Sequence, residues 1–377
     1  MFGLFSRAAT LATLCWMLAL SAPAARAQDG PMVWQAQYPL AADHPVVTEG
    51  WAPMAAAMQP DLDLQLRLIG PRLGTPAALE ALTRGAHQMG LLALSSYPQD
   101  FPYWALLGEL FLVGGESLAA AAAITELVML DCPPCQQNMA RRKLVFLGTY
   151  GAAPYVLIAP RPLTESHSLE GQILASPGSF WDRLTQHLGG SVGLPEADPR
   201  EALLAGRVTA LIDIPDALAD PQLAKHALAV TKLPLGGYRG AGPFMVNRDA
   251  WRSLDRGQRR RMFAAAAAGL VRITDEYRRL AEADLLAAER RGVSVTEGSV
   301  LLQDRVRRFA AADQARVVAS AAERFGIADA DRFLASLKAL YDKYAILTGP
   351  HTSQEEAISL LTSEIFDRLS LETYGLR

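Results

Sequence analysis

A run of helix-forming residues that starts after Asp255 and ends at Arg291, just before Gly292, is the feature that most restricts the fold. Asp255 and Gln258 form the pattern of a capping box at its start, and glycine is a common helix stop. Taken as one helix, about 36 residues would span roughly 54 Å, which exceeds one small domain. Gly269 could instead divide the run into two consecutive helices. The sequence leaves both interpretations open, and a single helix would bridge two domains.

Strand and helix patterns alternate in the first part of the chain. Residues 62–69 place leucines at every second position, residues 75–88 open with Thr-Pro as a helix does, and residues 89–98 form a buried-strand run. Such alternation is typical of a mainly parallel α/β layer. The first part of the chain therefore predicts one α/β unit.

The alternation then begins again. Two strand-like runs lie within residues 142–160, a third run is "GQILASP" (171–177) and a fourth is "VTALIDIP" (208–215), with predicted helices at 178–189 and 199–205. "GPFMVNRDAWRSL" (242–254) reads as a strand that returns to the first unit, followed by the start of a helix. A second α/β unit is therefore predicted, linked to the first by crossing strands.

Residues 1–27 have the pattern of a secretory signal peptide, in which Arg7 precedes the apolar residues 8–20 and small residues lead up to Ala27. Cys15 lacks the small residues that precede a lipid-anchor cysteine, so that alternative is disfavoured. No later stretch reaches the roughly 18 apolar residues that a spanning helix needs. We therefore expect a mature protein that is periplasmic, soluble and not embedded in the membrane, with cleavage near Ala27.

Charge and length limit the partners of the mature chain. Loss of the leader removes two arginines and no acidic residue, which moves the formal net charge from −3 to about −5. A phosphate-binding surface needs a concentrated basic field, so nucleic acid is not expected as a partner. About 350 mature residues are too many for one core and favour two domains.

Cys132 and Cys135 are the cysteines that remain after processing, in the sequence "CPPC". In an oxidising compartment this spacing favours a small disulfide loop over a redox pair, because no aromatic-bearing strand leads into it. Gln136 rather than histidine follows, which excludes c-type haem attachment.

Sequence motifs for catalysis are missing. The six histidines show no i, i+3 or i+4 pair, and the chain has no G-x-S-x-G elbow, phosphate loop or dinucleotide fingerprint. We therefore expect neither an enzyme nor a cofactor or metal. Two exported α/β lobes without catalytic motifs are typical of a clamshell that closes on a small ligand.

Four segments, in this order and spacing, resemble the solute-binding proteins of tripartite ATP-independent periplasmic (TRAP) transporters, of the dicarboxylate-binding-protein type. They are "LGTPAALEALTRGAHQMGLLALSSYP", "SLEGQILASPGSFWDRLTQHLGG", "EALLAGRVTALIDIP" and "FMVNRDAWRSLDRGQRRRMFAAAAAGLVR". The resemblance covers nearly the whole mature chain. It implies a two-lobe periplasmic-binding-protein-like clamshell that captures a small molecule between the lobes and delivers it to a membrane permease.

The resemblance also identifies positions that bind ligand. The arginine that usually pairs with a substrate carboxylate falls on Ala175, a second cationic position falls near Tyr155, and a ligand-contacting asparagine falls on Asp213. Because neither cationic position is basic here, a buried carboxylate would lack a partner there. The sequence therefore predicts a neutral or cationic ligand, unless Arg239 supplies the missing cation and restores an organic acid.

The remaining candidates follow from residue type and position. Asp213 would pair with an amine or, alternatively, cap the next helix, and Trp34, Ser95 and Ser96 are expected at strand ends. Core packing is the favoured interpretation of each tyrosine taken singly. As a group, aromatic residues would supply apolar or cation–π walls: Tyr97, Tyr150, Tyr155 and Phe180.

The expected organisation is a first lobe of residues 28–153 with about 240–270, and a second of residues 154–239 with about 271–377. The helical C-terminal extension could be an added helical layer or the surface of a homodimer. A sensor that feeds a signalling receptor, and less favourably a hydrolase, remain alternatives to transport. Turnover of the ligand would distinguish a hydrolase from a binding protein.

Overall fold

The structure is a computed structural model that describes residues 32–62, 64–70, 75–110, 116–193, 198–349 and 351–376. The predicted signal peptide and Cys15 lie outside these residues. The described strands are β1 (Met32–Gln37), β2 (Leu64–Ile69), β3 (Met89–Ala93), β4 (Leu144–Phe146), β5 (Val156–Ala159), β6 (Ile173–Ala175), β7 (Ser191–Val192), β8 (Ala210–Asp213), β9 (Ala229–Lys232), β10 (Ala241–Asn247) and β11 (Ser294–Glu297). The described helices are α1 (Ala52–Leu62), α2 (Thr75–Thr83), α3 (Pro102–Glu109), α4 (Ser117–Glu126), α5 (Pro133–Arg141), α6 (Ser179–His187), α7 (Pro199–Leu204), α8 (Leu223–His226), α9 (Arg248–Ser253), α10 (Arg256–Arg290), α11 (Val300–Ala319), α12 (Ala321–Phe325), α13 (Ala330–Leu347) and α14 (Gln354–Glu364).

The first sheet has the strand order β2-β1-β3-β10-β4. β1 runs parallel to β2 and β3, and β10 runs antiparallel to β3 and β4. The predicted return of the chain to the first unit after residue 241 is therefore confirmed. β10 comes from a distant part of the chain. The first sheet is therefore complete only after the chain has passed through the second lobe and returned.

The second sheet has the order β11-β9-β5-β8-β6-β7 and is apolar on both faces. Along β5, Leu157 packs into one hydrophobic core and Ile158 into another on the opposite face. Side chains of a strand alternate between faces, so a continuous apolar run fills two cores at once. The predicted α/β class with two sheets and many helices is confirmed.

α10 is one continuous helix of 35 residues, which settles the alternative left open by the sequence. Asp255 and Gln258 form the predicted capping box. Gly269 does not break the helix, since it lies where the Phe244 ring packs, and a Cβ there would approach the ring to 2.8 Å. Residues 262–273 of α10 lie in the core of the first lobe and Ala288 lies in that of the second. The helix therefore bridges both lobes.

The C-terminal helices pack differently from the expected organisation. The first half of α11 contributes Leu302 and Phe309 to the second lobe, whereas Val317, Phe333 and Leu361 join the core of the first sheet. The expected assignment of all residues 271–377 to the second lobe is wrong for the tail beyond about residue 317. α13 packs against α4, and α14 packs against α10. These contacts join residues far apart in the chain, so the local sequence pattern does not predict them.

Within the described ranges, no single helix has the length and apolar composition to cross a membrane. One bent pair, residues 117–131 with 133–141, satisfies those two criteria jointly.

Candidate functional site

A cavity of about 350 Å³ lies where the two lobes meet. The first lobe contributes the residues after β3 and along α3, and the second contributes residues 177–181 at the start of α6. The segment 237–240, which returns the chain from the second lobe to the first, forms a third wall. The cavity therefore includes residues of both lobes and of the connection between them.

Arg239 is the charged side chain of that crossing segment, and it lines the cavity. Among the described residues, no carboxylate forms an ion pair or hydrogen bond with its guanidinium. Burial lowers the pKa of Arg239 to about 10, and the phenols of Tyr341 and Tyr155 offset that effect only in part. Desolvation of an unpaired guanidinium is unfavourable, so this side chain is poised to accept an anion.

Aromatic side chains form part of the cavity wall, since Phe180 and Trp181 line it together with Arg239. Tyr155 lies edge-on to Trp181 with 4.9 Å between ring centroids, and Phe180 packs against the other side of Trp181. The Trp181 indole N–H donates to the backbone oxygen of Leu235 at 3.0 Å, which fixes the ring against the crossing segment. Burial raises the pKa of Tyr155, so its hydroxyl stays protonated and can donate a hydrogen bond.

A second tyrosine pair lies behind this wall. Tyr150 is buried and stacks on Tyr277 of α10 with 5.8 Å between ring centroids. Burial is also the main cause of the raised pKa of Tyr150, followed by the neighbouring phenol of Tyr277. Tyr150 does not line the cavity and instead packs behind the cavity wall against Tyr277.

Ser95 reaches the cavity and Ser96 does not. Ser95 hydrogen-bonds the Tyr238 hydroxyl, and its backbone N–H donates to Gly240 at 3.4 Å. A Cβ on Gly240 would lie 2.5 Å from the Ser95 hydroxyl, so a larger residue there would displace the Ser95 side chain. Ser96 is exposed and absent from the cavity wall.

Two predicted aromatic contacts are core residues instead. Trp34 is 2% exposed, lies near the amino end of β1, and donates its indole N–H to the Met32 sulfur at 3.1 Å. Ligands gather at the carboxyl ends of strands, which excludes Trp34 from this site. Tyr97 packs edge-on against Phe101 and bonds the backbone of Leu79. Core packing, the alternative considered for the tyrosines, describes Tyr97.

Asp213 ends β8, and its carboxylate is occupied within the protein. One oxygen accepts from Arg200 Nε at 3.1 Å and the other from the backbone N–H of Ile214 at 2.8 Å. Arg200 also donates to Asp216 at 3.0 Å. Asp213 is therefore a strand-end residue with a cationic partner, and it is not available as an isolated acid for an amine.

Ala175 ends β6, directly before the turn into α6. The cation that the sequence comparison places there is absent, as the sequence indicated. Arg239 instead carries the unpaired positive charge of the cavity among the described residues that line it.

The cavity wall includes residues that the sequence does not identify as site residues, among them Glu109, Trp181, Tyr238 and Phe325. Glu109 had a detectable signal, since it is an acid at the end of the apolar helix α3. Trp181 lay within the compared segment "GSFWDRLTQ" but was not singled out. Phe325 comes from the C-terminal tail, whose position the sequence did not reveal.

The disulfide and a larger cavity lie elsewhere. Cys132 and Cys135 are bonded and buried, and the Cys132 sulfur caps α5 by accepting from the Cys135 backbone N–H at 3.2 Å. A cavity of about 480 Å³ lies beside α5 in the first lobe. Its charged wall residue Arg368 is paired with Glu126 at 2.6 Å, so it offers no unpaired charge. Within the described ranges, no cluster of three or more histidine, cysteine or carboxylate side chains could hold a metal.

No protein-family model matches the chain, and neither does any curated protein. Solved structures do match it over most of its length. A TRAP periplasmic solute-binding protein from Desulfovibrio salexigens superposes with a TM-score of 0.70 at 17% identity, over 85% of this chain and 99% of that one. The chain has the fold of TRAP solute-binding proteins.

Two further structures with the TRAP solute-binding fold carry small acids. A marine metagenome protein specific for pyroglutamate matches with a TM-score of 0.64 at 17% identity, over 82% of this chain and 99% of that one. A protein from Rhodoferax ferrireducens in complex with benzoate matches with a TM-score of 0.68 at 14% identity, over 84% of this chain and all of that one. At these identities the likeness establishes the TRAP solute-binding fold and leaves the ligand of this chain to its own residues.

Proposed function

We propose that this protein is the periplasmic solute-binding component of a TRAP-type secondary transporter. It captures a small organic anion between its lobes and delivers that anion to a membrane permease. The observation that carries the proposal is Arg239, a desolvated guanidinium in the interlobe cavity with no carboxylate partner among the described residues.

A ligand carboxylate is the natural partner of this group. Guanidinium binds carboxylate through two parallel hydrogen bonds, and such charge-assisted bonds are about twice as strong as neutral ones. The first turn of α6 also borders the cavity, and no side chain caps its start at Gly178. The positive end of a helix dipole favours an anion at that position.

The ligand class differs from the neutral or cationic molecule that the sequence favoured. That expectation depended on Ala175 being uncharged and on Asp213 being free to bind an amine. Asp213 is paired with Arg200, whereas Arg239 has no carboxylate partner within the described ranges, so the charge balance of the site favours an acid. Phe180 and Trp181 in the cavity wall, with Tyr155 packed against Trp181, suit an acid with a flat or apolar body.

Export and delivery have separate support. The predicted signal peptide supports export across the cytoplasmic membrane, to the compartment in which binding proteins of TRAP systems work. Structures of the same fold hold pyroglutamate and benzoate, each of which presents one carboxylate. A small anion and a membrane permease are therefore the partners that we assign.

A thermal-shift screen of the mature protein tests this function. Pyroglutamate, benzoate and other small acids would be compared with amines and neutral solutes, on wild type, Arg239→Ala and Asp213→Ala. A ligand at 100 times its Kd stabilises the folded state by about 2.7 kcal/mol. We expect stabilisation by acids that disappears in Arg239→Ala and persists in Asp213→Ala. Stabilisation by amines that disappears in Asp213→Ala would refute the assignment of an acid.

A further inference from the structure

The cavity wall contains an ion network that crosses from one lobe to the other. Arg183 on α6 donates from Nη1 to Glu109 Oε2, at the end of α3, at 2.6 Å. α6 packs in the second lobe and α3 in the first, so this contact spans the lobes at the cavity that contains Arg239. We propose that the Glu109–Arg183 pair is a latch that holds the lobes closed around the ligand. This inference rests on the proposed function for the ligand, whereas the Glu109–Arg183 contact itself is made by side chains of this protein.

Each half of the network has its own partner within its own lobe. Arg183 forms a two-point bond with Asp313, with distances of 2.9 Å from Nε and 2.7 Å from Nη2. Asp313 follows the part of α11 that packs against α6 in the second lobe. On the other side, Glu109 Oε1 accepts from Arg324 of α12 at 2.9 Å, and α12 packs on α3.

This arrangement makes the crossing contact reversible. If the lobes separate, Arg183 keeps Asp313 and Glu109 keeps Arg324, so neither charge loses all its partners. Removal of the only partner of a buried charge would carry a large penalty, and the network avoids it. The closed form gains one short charge-assisted bond to the Glu109 carboxylate and a longer bond of 3.4 Å from Arg183 Nη2 to the Glu109 backbone oxygen.

Burial makes the pair effective. The side chains of Glu109 and Arg183 are 14% and 24% exposed, and that of Asp313 is 2% exposed. Charge pairs that are partly withdrawn from water are screened less by salt than pairs on the surface. Hydrogen bonds from Arg183 and Arg324 outweigh the opposing desolvation and lower the pKa of Glu109, so the acid is ionised at neutral pH.

The latch also orients the cavity wall. Arg183 lies two residues after Trp181 on α6, and Glu109 borders the cavity directly. Arg183 is thus a positioning residue, because it acts on the ligand through the placement of α6. If the closed form is the one that binds, the measured affinity falls in proportion to the closed fraction.

Distance measurements on the ligand-free protein test the latch. Nitroxide labels would be attached through Ala77→Cys on α2 and Gln186→Cys on α6, two exposed positions in different lobes. In the described structure the native pair Cys132–Cys135 is bonded and cannot compete for label. Pulsed dipolar spectroscopy would then compare the wild-type background with Glu109→Gln and Arg183→Gln.

We expect Glu109→Gln to raise the ratio of long to short distances by about fivefold to tenfold. Arg183→Gln should do the same, and the double variant should open no further than either single variant. Arg316→Gln is the matched control, since it removes another partner of Asp313 at 2.9 Å without touching the crossing contact. An unchanged distribution in Glu109→Gln, or equal opening in Arg316→Gln, would overturn the latch.

Titration with benzoate, followed calorimetrically, separates this inference from the proposed function. A latch predicts that Glu109→Gln weakens benzoate binding by up to about tenfold while Arg316→Gln does not. Opening in Glu109→Gln without benzoate or pyroglutamate binding in wild type would contradict the proposed ligand class and leave the latch standing. If wild type binds benzoate but Glu109→Gln does not open, the latch is contradicted and the proposed ligand class stands.

Discussion

Replacement of Arg239 by methionine should stabilise the ligand-free protein, although it removes a charged side chain from the centre of the site. Methionine keeps most of the apolar stem of arginine and omits the guanidinium, so packing changes little. The charge, by contrast, has no carboxylate partner among the described residues and is desolvated. Its removal should therefore relieve an unfavourable burial.

The magnitude follows from the pKa of Arg239, which falls from 12.5 to about 10. At 1.36 kcal/mol per pKa unit, the charged form is disfavoured by about 3 kcal/mol, and partial solvation reduces this to about 1–3 kcal/mol. For a chain of this size, that difference raises Tm by about 2 °C per kcal/mol.

The assay is urea unfolding and calorimetry of wild type and Arg239→Met, each refolded from denaturant so that no ligand from the expression host is retained. Arg332→Met is the matched control, because the Arg332 side chain is 81% exposed and its loss should change stability by less than about 0.5 kcal/mol. Addition of benzoate or pyroglutamate should then stabilise wild type and leave Arg239→Met unchanged. A ligand-free Arg239→Met that is less stable than wild type by more than about 1 kcal/mol would refute the reasoning.

Three further predictions concern stability. Gly151→Ala should lower the free energy of unfolding in urea by about 2–3 kcal/mol, because the added Cβ would overlap the backbone of Ser117. Gly70→Ala is the control, since the added Cβ has nothing within 4 Å, and it should lower that free energy by less than about 1 kcal/mol. Equal losses would contradict the packing argument. Burial lowers the pKa of His44 below its ordinary value of 6.5, so the unfolded chain binds the proton more readily and stability should fall as the pH drops below 6.5. His44→Gln should therefore reduce the dependence of Tm on pH between about pH 5 and 7. The same dependence in the variant and the wild type would contradict this. The Glu126 side chain is 3% exposed and accepts hydrogen bonds from three donors in the C-terminal tail. Glu126→Gln should therefore lower the free energy of unfolding in urea by about 2 kcal/mol or more. An unchanged free energy would mean that the tail is held by apolar packing alone.

Local pattern sufficed for most of the fold. The alternation in 62–69 and 208–215 and the capping box at Asp255 are short-range features, and the strands and the long helix formed where those features predicted them. The same local information could not decide whether Gly269 kinks the helix. That outcome depends on Phe244, which comes from a different strand and requires a residue without a side chain at the contact.

The candidate site could be predicted from the sequence only in part. The sequence shows that position 175 is alanine and not a cationic residue, and it identifies Arg239 as the alternative cation. The sequence could not reveal that Arg239 has no carboxylate partner among the residues that the structure describes. It also could not reveal the pairing of Asp213 with Arg200, because ion pairs depend on which side chains meet in space. Trp34 and Tyr97 illustrate the same limit for aromatic residues, since a core ring and a ligand-contacting ring have the same sequence pattern.

By itself the sequence determined the α/β class, the two-lobe plan, the start and end of the helical run 256–290 and the absence of the usual carboxylate-binding arginine. These follow from hydrophobic period, capping and residue identity, which act over a few neighbouring positions. Only the tertiary structure decided that the helices beyond about residue 317 pack on the first lobe and that Glu109 meets Arg183 across the cavity. It also decided that Asp213 has a cationic partner, whereas Arg239 has no carboxylate partner in the described part of the chain. Burial and charge pairing arise between residues far apart in the chain, so they exist only once the lobes have folded against each other.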